Sequence, residues 1–365
     1  MNSYALTESL SSMAEETYAE LLNLCFEVPQ GQDFLNDFPV WSSHFLDPLQ
    51  SRRFSITCND QLVASASIRV VTLRVESPES GLNPDATDEL SRTDSLKLRV
   101  AILGAVACHP NHRNQGLASE LIQRTCRWAH EQEVSAIFLW SSEPALYQRL
   151  GFNPFGLQVR CRLQLLLKNE TQQSEYQMKQ GFNSQIFKLI QRRRGGLELT
   201  PKDQLLYAAH SSVQWLYVTR NEEVLAYAGL GRGIDLQDHV HEWGGDPYAL
   251  NFIFQKLVRE QPHTILLSSP GHLNHYFPHW RSLDASESPE DILTQPVIES
   301  LCLANFFSSN TRGEQAINME SLPNLHERDW IQTRDLSNGN PMSSEEVLER
   351  EELSHFFWFW GLDAS

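Results

Sequence analysis

The stretch from Ala105 to Gln123, AVACHPNHRNQGLASELIQ, has the residue types of a phosphate-binding loop. Its apolar start predicts the end of a strand, Pro110 breaks that strand, and the apolar spacing after Gly116 predicts a helix. Because Gly116 has no side chain, a ligand can approach the backbone closely, and Ala118 leaves the next turn unobstructed. The unpaired N–H groups and positive dipole of the helix start favour a pyrophosphate, and Arg113 can add charge.

Two other nucleotide-binding patterns fit the loop less well. It has no Walker lysine and lacks the three-glycine dinucleotide fingerprint, so ATP and NAD are weaker expectations. A histidine group further along the chain suggests zinc, but it lies in a turn-rich segment without a cysteine or clear fourth ligand, so no metal is predicted. That group consists of His272, His275 and His279.

The elements around the loop predict an α/β unit with a parallel pair of strands. Residues 96–108 are apolar nearly throughout and predict a central strand. Residues 116–132 carry an apolar helical stripe, and residues 134–140 form a short apolar strand. A helix over residues 144–150 begins with a proline and ends at Gly151, and a further strand is expected over 157–167.

The remaining pattern predicts a second copy of the same order of elements. Before the loop, we expect a helix over 8–27, strands over 53–57 and 62–75, and an exposed loop over 76–95. After a linker near 168–175, we expect strands over 213–218 and 224–231, a helix over 248–260 and a strand over 264–267. The segments AIFLWSSEP and TILLSSP each follow a helix and end an apolar strand in Ser-Ser.

The aromatic run at 355–361 predicts a buried strand, with a partner-binding tail as the alternative.

Composition limits the classes of partner and location. The 365 residues are 41% hydrophobic and carry a formal net charge of −17, which fits two folded domains and disfavours nucleic acid. There is no apolar run long enough for a membrane span, and the acidic first residues do not form a signal peptide. Six cysteines without C-x-x-C spacing favour reduced thiols in a cytoplasmic protein. Cationic small molecules or basic peptides suit the charge better as partners.

Two motifs in order resemble the GNAT N-acetyltransferase superfamily. Residues 113–118, RNQGLA, match its R/Q-x-x-G-x-G/A signature, with His109-Pro110 as the usual lead-in. Residues 145–152, ALYQRLGF, resemble its F/L-Y-x-x-x-G-F/Y element. The resemblance covers roughly residues 1–165, and the second half is similar more loosely. It implies a mixed central sheet flanked by helices, with a GNAT domain over 1–167 and a degenerate GNAT-like domain over 168–365.

The resemblance also implies an acetyl-CoA site and a direct attack by a primary amine of a small molecule or peptide. Tyr147 would protonate the leaving thiolate, and the backbone N–H of Cys108 would meet the oxyanion. Glu143 is either the base or an acid favoured by the helix dipole. A noncatalytic acyl-CoA-binding protein is the alternative. The residues expected to hold the cosubstrate are Val106, Ala107, Cys108, Arg113, Asn114, Gln115, Gly116, Leu117, Ala118 and Ser119.

The second half departs from the signature. The segment 241–246, HEWGGD, stands where a phosphate loop is expected, and its acids would repel a pyrophosphate. We therefore expect CoA to bind the first half only. Asp235, Asp238 and Glu242 either wall the acceptor pocket or are solvated loop acids. The sequence indicates neither the acceptor's identity nor an oligomeric state.

Overall fold

The computed structural model describes residues 4–8, 14–75, 96–167, 175–193, 195–233, 235–279 and 297–306. These residues form two units that interleave along the chain. The first contains the described residues up to 73, then 97–155 and 300–306, and the second contains most of the rest. The predicted loop at 76–95, nearly all of the predicted linker and the predicted strand at 355–361 lie outside the described residues. The assignment of GNAT copies to 1–167 and 168–365 has different limits and stays a prediction.

The first unit contains six neighbouring strands of a mixed sheet, with helices between them. Its strand order is β1-β2-β3-β4-β5-β13, in which β4 and β5 are parallel and β5 and β13 antiparallel. The strands are β1 (Tyr4–Glu8), β2 (Ser51–Cys58), β3 (Gln61–Val75), β4 (Leu96–Cys108), β5 (Ala136–Leu139) and β13 (Val297–Phe306). The helices are α1 (Glu15–Cys25), α2 (Phe34–Asp37), α3 (Leu117–Glu131) and α4 (Pro144–Gln148).

Local sequence explains most of this unit. The hairpin of β2 and β3 turns at Asn59 and Asp60, whose φ values of 50° and 63° are the left-handed pair that a two-residue turn requires. The predicted stripe of α3 is buried, with Leu121, Ile122 and Ala129 each 0% exposed. Burying such a stripe against the sheet is the main source of stability for an amphipathic helix.

The second unit repeats the order of the first. Its sheet runs β7-β9-β10-β11-β12-β6, with β11 and β12 parallel and β12 and β6 antiparallel. The strands are β6 (Asn153–Arg162), β7 (Gln177–Gln180), β8 (Gly196–Leu197), β9 (Gln214–Arg220), β10 (Glu223–Leu230), β11 (His239–Gly245) and β12 (Ile265–Ser268). The helices are α5 (Leu163–Leu166), α6 (Ser184–Gln191), α7 (Pro201–Ala209), α8 (Pro247–Glu260) and α9 (Pro270–Tyr276).

The two sets of strands share one topology. In each, a helix (α3 or α8) connects two parallel strands, and an antiparallel strand lies beside the second of them. The predicted mixed α/β class, with helices flanking a mixed sheet, is confirmed. Among the described helices, none has both the length and the apolar character needed to cross a bilayer.

Three sequence predictions of local structure differ from the fold. The helix expected over 8–27 begins only at Glu15, and residues 4–8 pair with β2 as an edge strand. The strand expected to reach residue 167 ends at Arg162, and a short helix follows. The segment 241–246, interpreted as standing at the position of a phosphate loop, lies up to Gly245 in the buried strand β11. The first and third differences arise because pairing with a distant strand outweighs local pattern.

Buried His241 in β11 makes the second unit sensitive to acid. Its Nε2–H donates to the carbonyl of Gly231 at 2.8 Å, and the ring is 0% exposed. Burial, followed by the nearby Arg232 cation, lowers the pKa of His241 from 6.5 to about 3. Between those values the unfolded chain binds a proton that the folded chain does not, so stability falls as the pH falls.

We therefore predict that His241→Gln weakens the pH dependence of unfolding. Between pH 6.5 and pH 5 the parent should lose about 2 kcal/mol through this ring, and the variant should not. Urea unfolding at both pH values measures the loss, and His130→Gln, an exposed histidine on α3, is the control. Equal pH slopes for His241→Gln and the parent would contradict the assignment.

Candidate active site

Strand β4 changes direction before it ends. It pairs with β5 at Ala101 and Ile102, and three residues later Ala105 takes a left-handed φ of 49°. The preceding residue must be glycine, because a Cβ on Gly104 would lie 2.3 Å from the ring of buried Trp41. Such an irregularity bends a strand and re-aims the residues after it, here Val106 to Cys108. These three residues are among those that the family resemblance implies for holding the cosubstrate.

Local contacts shape the loop after β4. Pro110–His112 form a 3₁₀ turn, in which the ring of His109 accepts a hydrogen bond from the Asn111 amide at 3.2 Å. The Cys108 thiol donates to the carbonyl of His112 at 3.5 Å. Arg113 Nε donates to the carbonyl of Cys108 at 3.3 Å, which holds the guanidinium beside the strand end. Only one of the five guanidinium N–H donors is used in that bond.

The start of α3 is open to a ligand. Its N-cap is Gly116, with φ 78°, and no side chain caps the helix. A Cβ at Gly116 would meet nothing within 4 Å, and Asn114 and Gln115 beside it are exposed. Uncapped N–H groups at the positive end of a fifteen-residue helix can bind an anion. Leu117 turns inward into the core, whereas Ala118 and Ser119 are half-buried at the helix start.

Tyr147 lies in the same hydrophobic core as α3. It is 7% exposed on α4, packs edge to face on Phe152 with ring centroids 6.0 Å apart, and shares a cluster with Leu117. Val106 and Cys108 pack against that cluster. Burial raises the pKa of Tyr147 above 10, and a hydrogen bond with the Ser141 side chain opposes the rise. The phenol is therefore protonated at neutral pH and can act as a proton donor.

Glu143 is exposed at the N-cap of α4. Its amide donates to Ser141 Oγ at 2.9 Å, and its carboxylate makes no capping hydrogen bond to the helix. The carboxylate is therefore accessible from solvent, where it could exchange protons. Both interpretations from the sequence, a base or an acid favoured by the dipole, stay open at this position.

Two thiols meet at the end of β4. Burial raises the pKa of Cys108 and of Cys25, and the Arg113 cation opposes both rises. The Cys25 thiol also interacts with the Arg113 side chain and with the backbone of Cys108. Because a thiol with a raised pKa is a poor nucleophile at neutral pH, Cys108 is not activated for covalent catalysis. All six cysteines are free thiols.

Sequence reasoning missed three residues beside the predicted site. Cys25 reaches it from the end of α1, Ser141 contacts Tyr147, and Tyr4 of β1 contacts His112 and the Gln115 side chain. No local motif marks Cys25 or Tyr4, because both reach the loop only through the fold. Ser141 does carry a signal, since it belongs to the repeated Ser-Ser at a strand end.

In the second unit, side-chain and backbone atoms of the protein occupy the start of the equivalent helix, α8. Gly245 precedes α8, but a Cβ there would lie 2.2 Å from the carbonyl oxygen of Leu225. Asp246 caps α8, accepting hydrogen bonds from the amides of Tyr248 and Ala249 at 3.0 and 2.9 Å. The carboxylate thus takes the position at the helix start where an anion would bind.

One acid of the second unit does not lie where the sequence predicted. Glu242 cannot wall an acceptor pocket and is not a solvated loop acid, because it is 0% exposed in β11 and paired with Arg193 at 3.0 Å. Asp235 pairs with Arg232 at 2.5 Å. Asp238 and Glu260 line a polar cavity of about 620 Å³ within this unit.

The histidines considered for zinc have other contacts. The ring of His272 packs on Trp243 with centroids 4.2 Å apart, and His279 Nε2 lies 3.3 Å from the carbonyl oxygen of Leu166. Within the described ranges, no three His, Cys, Asp or Glu side chains converge on a point that could hold a metal.

The chain is similar to known proteins in one segment of its sequence and in its fold. Residues 92–155 match the family described as Acetyltransferase (GNAT) domain. No curated protein sequence matches the chain. A probable N-acyltransferase from Enterococcus faecalis V583 has a similar fold, with 10% identity, 84% of this chain and 73% of that chain covered, and a TM-score of 0.53. A GCN5-related N-acetyltransferase from Kribbella flavida gives 13% identity, 84% and 71% coverage, and a TM-score of 0.53.

We predict that Gly116→Glu abolishes stabilisation by acetyl-CoA. The glutamate would fill the open space at the start of α3 and repel phosphate oxygens. The left-handed φ of 78° adds strain of about 1–2 kcal/mol, so the melting temperature without ligand should fall by about 2–4 °C.

Gly181→Glu is the matched control for Gly116→Glu. Gly181 also has a left-handed φ, 100°, and open space around a Cβ, but it lies in the second unit. Its melting temperature should fall similarly, and acetyl-CoA should still raise it as in the parent. If acetyl-CoA stabilises Gly116→Glu as much as Gly181→Glu, the phosphate site has been misplaced.

Proposed function

We propose, from the GNAT domain at residues 92–155, that this chain transfers an acetyl group from acetyl-CoA to a primary amine of a small molecule or peptide. The fold, and the family of that segment, are those of N-acyltransferases. The identity of the acyl group, the acceptor and the roles of individual residues are parts of this proposal. The observation that carries it is the uncapped start of α3, open around Gly116, directly after the redirected end of β4.

The described residues fit a CoA thioester. The amides from Asn114 to Ser119 and the Arg113 guanidinium supply N–H donors and positive charge, which suit a pyrophosphate. The backbone of Val106, Ala107 and Cys108 would pair with the pantetheine amides as an added strand. Acetyl-CoA supplies an activated acyl group, and no metal is part of the proposal.

Tyr147 is proposed as the general acid. A proton donor must be protonated at the working pH, and the raised pKa of Tyr147 meets that condition up to pH 10 and beyond. If the ionisation of Tyr147 determines the alkaline limb of the pH–rate profile, activity should fall only as the pH rises through the raised pKa of Tyr147. Ser141 holds the phenol oxygen, and so also sets its direction.

The acceptor amine must lose a proton before it attacks. An alkylamine has a pKa of about 10.4, so at neutral pH a base or a chain of waters must take its proton. Exposed Glu143, near the start of α4, is the proposed receiver. The net charge of −17 favours a cationic acceptor over nucleic acid, and we place the reaction in the cytoplasm, away from membranes.

The function is tested by amine-dependent release of free CoA from acetyl-CoA. Polyamines, aminoglycosides, amino acids and N-terminal peptides form a panel that spans the acceptor classes. Release that depends on one class supports the enzyme and names its acceptor. Tight CoA binding without release by any acceptor would instead support a noncatalytic acyl-CoA-binding protein.

Tyr147→Phe should lower kcat by roughly 10²–10⁴-fold while leaving the CoA dissociation constant unchanged. The ring, and with it the packing on Phe152, remains, and only the hydroxyl is lost. Steady-state rates at saturating acceptor and a CoA titration separate the two effects. Tyr207→Phe, a buried tyrosine of the second unit, is the control and should leave kcat unchanged. An unchanged kcat in Tyr147→Phe would remove this residue from the chemical step.

We expect one CoA to bind per chain. The start of α8 carries its own aspartate and has no space at Gly245, so of these two described helix starts only that of α3 offers the required opening. Isothermal titration should give one equivalent in the parent and none in Gly116→Glu. Two equivalents in the parent, or one remaining in Gly116→Glu, would place a CoA site in a different part of the chain.

A further inference from the structure

Tyr4 joins the edge of the first sheet to the phosphate loop. It begins β1, the strand paired with β2, and lies opposite Cys58. Its hydroxyl donates to Oε1 of Gln115 and lies 3.1 Å from Nδ1 of His112. Its ring also meets the His112 imidazole edge to face, with centroids 5.9 Å apart and planes at 85°. One side chain therefore contacts the loop at two positions.

The hydrogen-bond directions in this contact are determined by the phenol's single proton. Because Tyr4 gives that proton to the Gln115 amide oxygen, which can only accept, Nδ1–H of His112 must be the donor toward the Tyr4 oxygen. The result is a chain from His112 through Tyr4 to Gln115. His112 is fixed in turn through its carbonyl, which accepts from the Cys108 thiol at the end of β4.

Tyr4 binds Gln115 at the point where the loop turns into α3. Gln115 lies between Asn114, with φ 62°, and Gly116, with φ 78°. Those two left-handed residues set the direction of the amides that lead into α3. All three residues are exposed, so little packing stabilises their conformation. A hydrogen bond to the Gln115 side chain from a strand of the sheet restricts this turn before a ligand arrives.

We propose that Tyr4 is a positioning residue that preorganises the loop at 112–116 for the phosphates of CoA. The inference rests on the proposed function and extends it, because it makes the edge strand β1 part of the cosubstrate site. Tyr4 bonds the loop residues Gln115 and His112, and no part in the chemical step is assigned to it. Its effect is on the affinity for CoA and not on the chemical step.

The test is Tyr4→Phe, which keeps the ring against His112 and removes the hydroxyl. The dissociation constant for CoA, measured by isothermal titration, should rise on the order of 3- to 10-fold, the usual weight of one hydrogen bond. The KM for acetyl-CoA should rise by the same factor, with kcat at saturation unchanged. The control is Tyr276→Phe, whose hydroxyl donates to the carbonyl of Gly245 at 2.9 Å in the second unit. This control should leave the CoA affinity unchanged.

A double-mutant cycle with Gln115→Leu identifies the partner. Each single variant breaks the same hydrogen bond. The double variant, Tyr4→Phe with Gln115→Leu, should therefore bind CoA no more weakly than whichever single variant has the lower affinity. Additive losses, or a CoA affinity in Tyr4→Phe equal to that of the parent, would overturn the role of Tyr4. A parent chain that does not bind CoA would overturn the proposed function itself, and the inference with it.

Discussion

The open N-terminus of α3 is the constraint on which the site depends. A helix start leaves four N–H groups without partners, and most proteins satisfy some of them with a capping side chain worth about 1 kcal/mol. α8 follows that rule with Asp246, whereas α3 begins at Gly116 with no cap. The first unit therefore gives up local stability at the point where an anionic ligand would supply the missing partners. Such a local departure from good capping is expected at functional sites.

Packing in the first unit keeps the start of α3 beside the end of β4. Gly104 lets Trp41 pack directly on the strand, and the left-handed Ala105 then turns the last residues of β4 away from a regular ladder. The same core cluster holds Leu117, Tyr147 and Phe152, so the start of α3 and the proposed proton donor Tyr147 belong to one packed core. Packed side chains hold these groups in place more firmly than the exposed loop could by itself.

The two units share one topology but differ at the start of the helix between their parallel strands. α3 begins without a side-chain cap, whereas Asp246 caps α8 and backbone atoms fill the space around Gly245. Its strand β11 buries the Arg193–Glu242 pair, in which each charge needs the other because neither reaches water. The topology is thus shared while the groups at the helix start differ, and a fold shared by two units does not imply a shared function.

The sequence alone determined the features that depend on near neighbours. The hairpin turn at 59–60, the apolar strand β4, the stripe of α3 and the position of Gly116 all follow from periodicity and backbone preference over a few residues. Tertiary structure decided the rest. Tyr4 bonds a residue 111 positions away, Glu242 is buried because Arg193 neutralises it, and residues 4–8 are a strand only because β2 pairs with them. These contacts join segments with no shared local pattern, and only folding brings them within hydrogen-bonding distance.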